Sequence, residues 1–442
     1  MDTGRERGGA VEAVAGAGDE GGAAEAGEHV RAPEAGEHVR APEGFGPREL
    51  PAGLTHGPSR ERLAAGGLPR AFAHLNLEAS WYEPLRTAAT WYDGLRDEDA
   101  GGLVVLGEAD YRGSSGHALA DVLLDGASGE VYLACGDDSG GLRRDLLAGS
   151  LDTLVALMIE VEAVTAGAAE PYEPEEGEEF EPRGPGTVAE VTRVSLDRMR
   201  AVDPELFRRT DDRPAHWETA VRIRALAWGA LPGGPDDLRY ALDASLVEEL
   251  AALTGGTVRR FREDELPAVL GHAPTRRLLT GLGLPLSDRG TFRIDPEGPL
   301  LTMAQTLPDA FEPEDEEEDS RYYQAGFLAL ADWTYDFTVA LDGATGRLEL
   351  PPWFDDGEPA AYLHRDVSAL LHVLWAYERL RADRRDALRR SAPVPWEAFD
   401  PCRLLDSAAQ EALRALDPEA FASGTHFWPI LADDGHMGGL LE

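Results

Sequence analysis

One stretch of twenty residues occurs twice in this chain, as LPAGLTHGPSRERLAAGGLP at 50–69 and as LPAVLGHAPTRRLLTGLGLP at 266–285. Three further landmarks recur after it in the same order, namely a turn flanked by β-type residues, a helical stretch and an Asp-Pro-Glu segment. They lie at 123–133 and 340–350, at 150–164 and 366–380, and at 200–207 and 414–421. Because loop lengths differ between the two series while the order is kept, we interpret the repeat as a tandem duplication of a whole domain.

The duplication predicts two domains of one α+β fold. A chain of 442 residues is long enough for two or three domains that each bury a core, and we place the copies at 48–232 and 233–442. The second copy begins with a predicted helix at 236–256. Residues 1–47 are rich in Gly, Ala and Glu and contain AGEHVRAPE twice, a composition that buries too little apolar surface to offset its ordering entropy, so this tail is predicted to be disordered.

The turn landmark predicts a β-hairpin in each copy. Its Asp-Gly-Ala-Ser/Thr-Gly sequence stands between β-type residues, and glycine takes positive φ where the chain reverses. We therefore assign structural roles to Gly126, Gly129, Gly343 and Gly346.

The opening stretch ends in Gly-Leu-Pro in both copies, and this ending also has a predicted structural role. Gly283 is expected to end a short helix in the left-handed conformation, and Pro285 to prevent its continuation. Gly67 and Pro69 stand at the matching positions of the first copy.

The charge of the chain restricts its partners. Against 82 acidic residues stand 41 basic ones, all of them Arg, for a formal net charge of −41. Direct binding to nucleic acid or to anionic membrane is disfavoured, because both depend on cationic side chains. A basic protein partner fits this charge, and the alternative is that acidity serves only solubility.

The cysteines and the N-terminus predict a cytoplasmic protein. Cys135 and Cys402 are too few and too far apart for a disulfide scaffold or a four-cysteine zinc site. The first residues, MDTGRERGGAVEAV, lack the apolar core of a signal peptide, and no window approaches 18 apolar residues.

Common catalytic and metal motifs are absent from the sequence. Without any Lys, neither a phosphate-loop lysine nor Schiff-base chemistry is available. The segment RGSSGH at 112–117 is not a GxSxG elbow, there is no HExxH, and EPEDEEED at 312–319 lacks the glycine and ligand spacing of an EF-hand loop. We expect no catalytic residues, cofactor or metal, and an enzyme with an unrecognised carboxylate site is the alternative.

The four landmarks, in this order, resemble the SUKH superfamily, and in particular its fourth family. The resemblance rests on LPxxLxHxPxRxxL followed by GLP in both copies, on the LDGxTGRL hairpin at 341–348 and on LDPEAF followed by FW at 416–428, and it covers essentially everything after residue 47. It implies two tandem domains with a mostly antiparallel sheet and flanking helices. It also implies an immunity protein that binds and silences a toxin from neighbouring bacteria, often a nuclease or deaminase, without a catalytic centre.

Charge and resemblance together predict an acidic toxin-binding surface, because toxins that act on nucleic acid need basic surfaces. Each copy carries acids just before a predicted strand, and since buried aromatics dominate the affinity of interfaces, nearby aromatics are candidate anchors. The predicted contact residues are Asp97, Glu98, Asp99, Trp81 and Trp91 in the first copy, and Glu314, Asp315, Glu316, Glu317, Tyr322 and Tyr323 in the second. The alternatives are a solvated loop for the acids and a place in the core for the aromatics.

A function of a different class stays open, namely an intracellular scaffold or regulatory adaptor of the same fold with an endogenous protein partner. A change in growth on deletion without any attacking competitor would favour it. The sequence leaves open the identity of the toxin, the oligomeric state, and whether the two copies pack together.

Overall fold

The structure is a computed structural model. It describes residues 45–46, 49–66, 68–69, 71–77, 85–92, 95, 100–109, 120–136, 140–164, 183–210, 215–229, 238–287, 292–294, 297–311, 322–333, 337–350, 361–390, 398–424, 426–433 and 441. All of them lie within one compact unit, residues 39–442.

Apart from α7 and β7, which open the second copy, the helices and strands follow the same order in both copies. In the first copy they are α1 (Gly57–Ala65), β1 (Ala71–Phe72), β2 (Leu75–Asn76), α2 (Ala88–Trp91), β3 (Leu103–Ala109), β4 (Asp121–Asp125), β5 (Val131–Gly136), β6 (Leu142–Ala148), α3 (Leu151–Ala163), α4 (Pro185–Val202), α5 (Pro204–Arg209) and α6 (Ala215–Trp228). In the second they are α7 (Ala244–Leu253), β7 (Thr257–Arg259), α8 (Ala273–Gly281), β8 (Leu284–Leu286), β9 (Phe292–Arg293), α9 (Met303–Thr306), β10 (Leu328–Trp333), β11 (Phe337–Leu341), β12 (Leu348–Leu350), β13 (Ala361–His364), α10 (Val367–Arg390), α11 (Pro401–Leu416) and α12 (Phe427–Asp433). Short 3₁₀ turns lie at Ala100–Gly102, Glu263–Glu265, Pro308–Phe311, Tyr322–Gly326 and Pro418–Phe421.

Each copy is built on an antiparallel meander. Strands β1 to β6 form a six-stranded sheet in chain order, and β9 to β13 form a five-stranded one. Strands β7 and β8 form a separate antiparallel pair. Every pairing among the described strands is antiparallel, which confirms the predicted α+β class with a mostly antiparallel sheet.

The strand before each hairpin, β3 in the first copy and β10 in the second, departs from regular pairing at one equivalent position. In the first copy the register shifts between Val105 and Gly107, and Gly107 pairs with Val122. In the second copy it shifts between Ala329 and Ala331, and Ala331 pairs with Val339. This β-bulge is therefore common to β3 and β10 and makes Gly107 the counterpart of Ala331.

The helices of both copies share one hydrophobic core. Along β3, Val104 and Leu106 face this core while Leu103 and Val105 face the opposite side of the sheet, as the two-residue period of a strand requires. Helix α6 packs against α11, and the core is continuous from the helices of one copy to those of the other. The layers therefore run sheet, helices, helices, sheet, and the two copies pack together.

Polar contacts reinforce this junction. Arg224 on α6 reaches Glu162 at 3.0 Å and Glu411 on α11 at 3.3 Å. The backbone N–H of Phe399 donates to Asp145 on β6 at 2.6 Å. Because these contacts join residues far apart in the chain, the sequence alone could not show them.

The helix that opens the second copy is shorter than predicted. Helix α7 begins after Asp243, whose side chain accepts from the backbone of Ser245 at 2.7 Å. The preceding N–H of Tyr240 donates to the Ser368 side chain at 3.0 Å, at the start of α10. The chain before Asp243 is thus committed to a contact with α10 and not to helical hydrogen bonds.

Candidate interaction surface

Each sheet has a second face, opposite the helices, which we call the outer face. In the first copy α2 and the following 3₁₀ turn cover part of it, and Ala88 and Ala100 pack on Leu103, Val105 and Leu123. In the second copy α9 and its neighbouring turns do the same, and Met303 and Phe311 pack on Ala340. The two outer faces belong to separate sheets, one in each copy.

The two cover helices begin in the same way. Thr87 opens α2 with a capping box whose other member is Thr90, and Thr302 opens α9 with Gln305 in that place. In a capping box each side chain bonds the other residue's backbone N–H, which fixes where the helix starts. The cover is therefore a repeated part of the domain.

Two of the predicted aromatic contacts, Trp91 and Tyr323, are exposed on these outer faces. Trp91 ends α2 with 39% of its surface exposed, and the Arg86 guanidinium lies 5.5 Å from its ring centroid. Tyr323 is 50% exposed, and its ring meets that of Phe327 edge-on at 5.6 Å. Since they lie on different copies, the structure does not bring them together.

The remaining predicted contacts lie outside the described residues. They are Trp81, Asp97, Glu98, Asp99, Glu314, Asp315, Glu316, Glu317 and the side chain of Tyr322. The described residues that bound the two acidic runs do lie on the outer faces. Leu95 and Ala100 pack in the outer cluster of the first copy, and Phe311 packs in that of the second.

A buried carboxylate organises the outer face of the second copy. Glu349 on β12 is 6% exposed and accepts hydrogen bonds from the Tyr323 hydroxyl at 2.6 Å and the Gln324 side chain at 2.8 Å. Arg347 approaches it at 3.2 Å. Burial, and then the bond to this carboxylate, raises the pKa of Tyr323, so the phenol stays a donor at neutral pH.

The predicted hairpin glycines contact the opening stretch of the same copy. The backbone N–H groups of Thr55 and His56 donate to the carbonyl of Gly126 at 2.8 and 2.7 Å. Gly129 has φ of +80°, and a side chain there would overlap the His56 ring. Glycine is required at 129 for both reasons.

The second copy repeats this arrangement. The N–H of His272 donates to the carbonyl of Gly343 at 2.9 Å. Gly346 has φ of +82° and leaves room for the His272 ring, whose Nδ1 lies 2.8 Å from the Thr275 hydroxyl. The two landmarks that recur together in sequence are thus in direct contact.

The Gly-Leu-Pro ending is described in full in the second copy. Gly283 has φ of +85° and follows α8, where its N–H donates to Leu278 at 2.9 Å. Pro285 is buried in β8. Pro69 is half-buried before β1, and Gly67 lies outside the described residues.

One buried group has the composition of a catalytic dyad but not its exposure. His364 Nδ1 lies 2.7 Å from Asp417 Oδ2, and the indole N–H of Trp428 donates to His364 Nε2 at 3.1 Å. Both histidine nitrogens are therefore engaged, and His364 and Asp417 are fully buried. A general base must reach a substrate proton, so the arrangement is structural.

Three buried histidines, His74, His216 and His372, are held neutral. Burial lowers the pKa of His216 and that of His372 to about 4 each, and it lowers the pKa of His74 well below its usual value, with Arg224 adding to the effect. Within the described parts of the chain, no three metal-binding side chains come together. None of the described helices combines the length and apolarity that a membrane crossing needs.

The comparison with protein families agrees with the repeat. A family model described as SUKH-4 immunity protein matches residues 10–222 and 246–434. The first match begins inside the predicted tail and the second inside α7, and each contains the four landmarks of its copy. No curated protein and no solved structure matches the chain significantly. This chain therefore belongs to the SUKH-4 immunity protein family and contains two copies of its domain in tandem.

Proposed function

We propose that this protein confers immunity by binding a basic bacterial toxin and covering its working surface, without catalysis of its own. The observation that carries the proposal is the match of both copies to one immunity family. We place the domains at 48–232 and 233–442, behind a tail of residues 1–47. We place the protein in the cytoplasm, where an incoming toxin would meet its target.

The charge of the chain supports a basic partner. Its net charge of −41 produces a field that raises the rate of encounter with cationic proteins. Toxins that cut or deaminate nucleic acid carry cationic surfaces because their substrate is a polyanion. A nuclease or deaminase is thus the class of toxin that this charge fits best.

The outer faces are the proposed contact surface. Each predicted acidic run is bounded by described residues that pack on an outer face, next to a half-exposed aromatic. Tyr323 is held by Glu349 and Phe327, so it would lose little side-chain freedom on binding and suits the role of an anchor. The acids would set the rate and orientation of association, and the aromatics its lifetime.

The proposal is tested by co-expressing the chain with the toxin gene that neighbours its own, and by measuring affinity for that toxin with its catalytic residue replaced. Protection and tight binding that weakens as salt is raised are expected. Reversing Asp315, Glu316 and Glu317 to Arg should weaken binding at least tenfold and flatten its salt dependence.

The matched control reverses Glu175, Glu176 and Glu178, which changes the net charge by the same amount in the acidic segment found only in the first copy. This control should change affinity less than threefold. Equal effects of the two triple variants would mean that only the overall charge of the chain contributes to binding. An absence of binding by the unaltered chain would reject the immunity proposal.

A further inference from the structure

The junction between the two copies includes a strained turn. Ala73 and His74 form the turn between β1 and β2, where Phe72 pairs with Leu75, and their φ angles are +53° and +62°. Two left-handed residues in succession are typical of a two-residue hairpin turn, but glycine or asparagine normally occupies these positions. Other residues keep such φ angles only where their surroundings hold them, and both residues of this turn are buried.

Helices of the first copy hold the backbone of this turn. The N–H of Ala73 donates to Glu162 on α3 at 2.8 Å, and Nε2 of His216 on α6 donates to the carbonyl of Ala73 at 3.2 Å. Because a carbonyl can only accept, this second bond requires the proton of the neutral ring to be on Nε2. The lone pair of His216 is therefore on Nδ1.

Residues of the second copy complete the surroundings of the turn. Glu411 on α11 lies 3.9 Å from Nδ1 of His74. The ring of Phe399, just before α11, meets the ring of His216 edge-on, with the centroids 5.5 Å apart. Arg224 on α6 reaches the same Glu411 at 3.3 Å. Both histidines thus contact the second copy as well as the first, and they form part of the junction.

Each of these histidines has one ring nitrogen that no described residue contacts through a hydrogen bond, Nε2 in His74 and Nδ1 in His216. A neutral ring can leave one nitrogen unprotonated, but a second proton would place an N–H and a positive charge where no described group accepts them. Burial, with Arg224 nearby, accordingly lowers the pKa of His74, and burial lowers the pKa of His216 to about 4. The closed junction therefore excludes protons that both rings would bind in water.

The carboxylates at the junction act in both directions. A proton on His74 would be attracted to Glu411, but that side chain is 54% exposed and already paired with Arg224, so solvent screens much of its charge. Glu162 and Glu411 bind Arg224 through charged carboxylates, so acid weakens these contacts too. Asp145 opposes them, because burial raises its pKa and the closed junction then favours its protonated form. Two histidines against one such carboxylate leave a net uptake of about one proton on opening.

We propose that the junction is an acid-sensitive contact, which opens at the turn between β1 and β2 when His74 and His216 take up protons, while both sheets stay folded. Opening would return the two rings to water and release the strain of the turn. The placement of the two outer faces relative to each other would then depend on pH. This inference goes beyond the proposed function, since it concerns a contact within the chain and needs no toxin.

Hydrogen exchange of the full chain between pH 7 and pH 4.5, corrected for the ordinary pH dependence of amide exchange, tests the inference. The backbone N–H groups of Ala73 and Phe399 donate to carboxylates within the junction. Their protection should fall about tenfold for each pH unit below 6.5, as net uptake of one proton requires, while β10 and β11 keep theirs. Unchanged protection at Ala73 and Phe399, or an equal loss in β10 and β11, would overturn the inference.

Two variants separate these histidines from other effects of acid. His74→Asn removes a titrating ring and supplies a residue that the left-handed position favours, so the fall in protection should shrink to less than about threefold per pH unit. His372→Phe is the matched control, because His372 is also fully buried with a pKa of about 4 but packs on Tyr240 of its own copy. It should leave the fall at Ala73 and Phe399 unchanged. A full tenfold fall in His74→Asn, or the same reduction in His372→Phe, would contradict the proposal.

Discussion

The two copies share a frame of contacts between their landmarks and differ at particular positions within it. In both, a histidine of the opening stretch lies against a left-handed glycine of the hairpin, as His56 does on Gly129 and His272 on Gly346. In both, the first strand after the cover helix is bulged. The copies differ at that bulge, where the first has Gly107 and the second has Ala331. Duplication has thus retained the frame and varied single positions within it.

The closing segment of each copy is attached to the edge strand of its sheet, but different chemical groups form the attachment in the two copies. In the first copy, Asp203 accepts from the backbone N–H of Gly149 at 2.8 Å, and Trp217 donates to the carbonyl of Leu147 at 2.8 Å. In the second copy the side chain of His364 replaces both of these backbone groups and forms hydrogen bonds with Asp417 and Trp428. The closing segment is attached to the edge strand either way, which indicates that this attachment matters more than the chemistry that provides it.

The largest expected effect concerns the bulge itself. Gly107→Ala should destabilise the chain by about 3 kcal/mol, because its methyl group overlaps the backbone at Asn76 and Leu77. Ala331→Gly should cost about 1 kcal/mol, since it removes one methyl group and adds backbone freedom. Chemical denaturation of both variants measures the difference, and equal losses would show that the two bulges are packed alike.

The contact between the hairpin and the opening stretch should respond equally in both copies. Gly129→Ala and Gly346→Ala should each cost about 2 kcal/mol, from positive φ and from overlap with the histidine ring. Adding His56→Ala to Gly129→Ala removes the overlap and leaves the backbone strain, so the double variant should lose less than the two single losses combined. Additive losses would mean that the ring and the glycine are not in contact.

A buried histidine in each copy should make the chain sensitive to acid, His216 in the first and His372 in the second. His216 has a pKa near 4 when folded against about 6.5 when unfolded, so the unfolded state binds the extra proton between these values. The stability that this group contributes is therefore present above pH 6.5 and is lost as pH falls toward 4, at most about 1.4 kcal/mol per pH unit.

Phe427 stands at the position that corresponds to His216 in the second copy, so His216→Phe provides the comparison. Proton uptake on unfolding near pH 5 should fall by about one in this variant, as measured by urea denaturation across pH 4–7. An unchanged pH dependence would show that His216 titrates normally in the folded protein.

The smallest effect is expected at the outer-face tyrosines. Tyr323→Phe removes one donor to Glu349, which keeps Gln324 and Arg347, so the free energy of unfolding should fall by about 1 kcal/mol. Tyr132→Phe, which removes a hydroxyl that donates to Glu130 in the first copy, is the matched control. Only Tyr323→Phe is expected to change toxin affinity, and the same change in both would place the contact elsewhere.

Much of the fold follows from local signals in the sequence. The helix α3 begins where Ser150 predicts it, and that side chain accepts from the backbone of Thr153 at 3.2 Å. Helix α8 ends before Gly283, and both hairpins turn at their glycines. These features depend on neighbours within a few residues, which is why residue types alone predict them.

The features that the sequence did not reveal depend on distant contacts. The amphipathic pattern of α11 indicates that one face is buried but does not show that α6 of the other copy covers it. Glu349 stands in an apolar strand, LEL, with no signal that Tyr323 would reach it.

The central claim is that the chain binds the toxin through an outer face, and hydrogen exchange of the full chain with and without the inactivated toxin tests it most directly. Slower exchange on binding is predicted at residues 301–306 and 323–331 of the second copy, at 86–92 and 103–109 of the first, or at both pairs of segments. Protection confined to segments away from both outer faces, such as the helices α4 and α6, would contradict the claim.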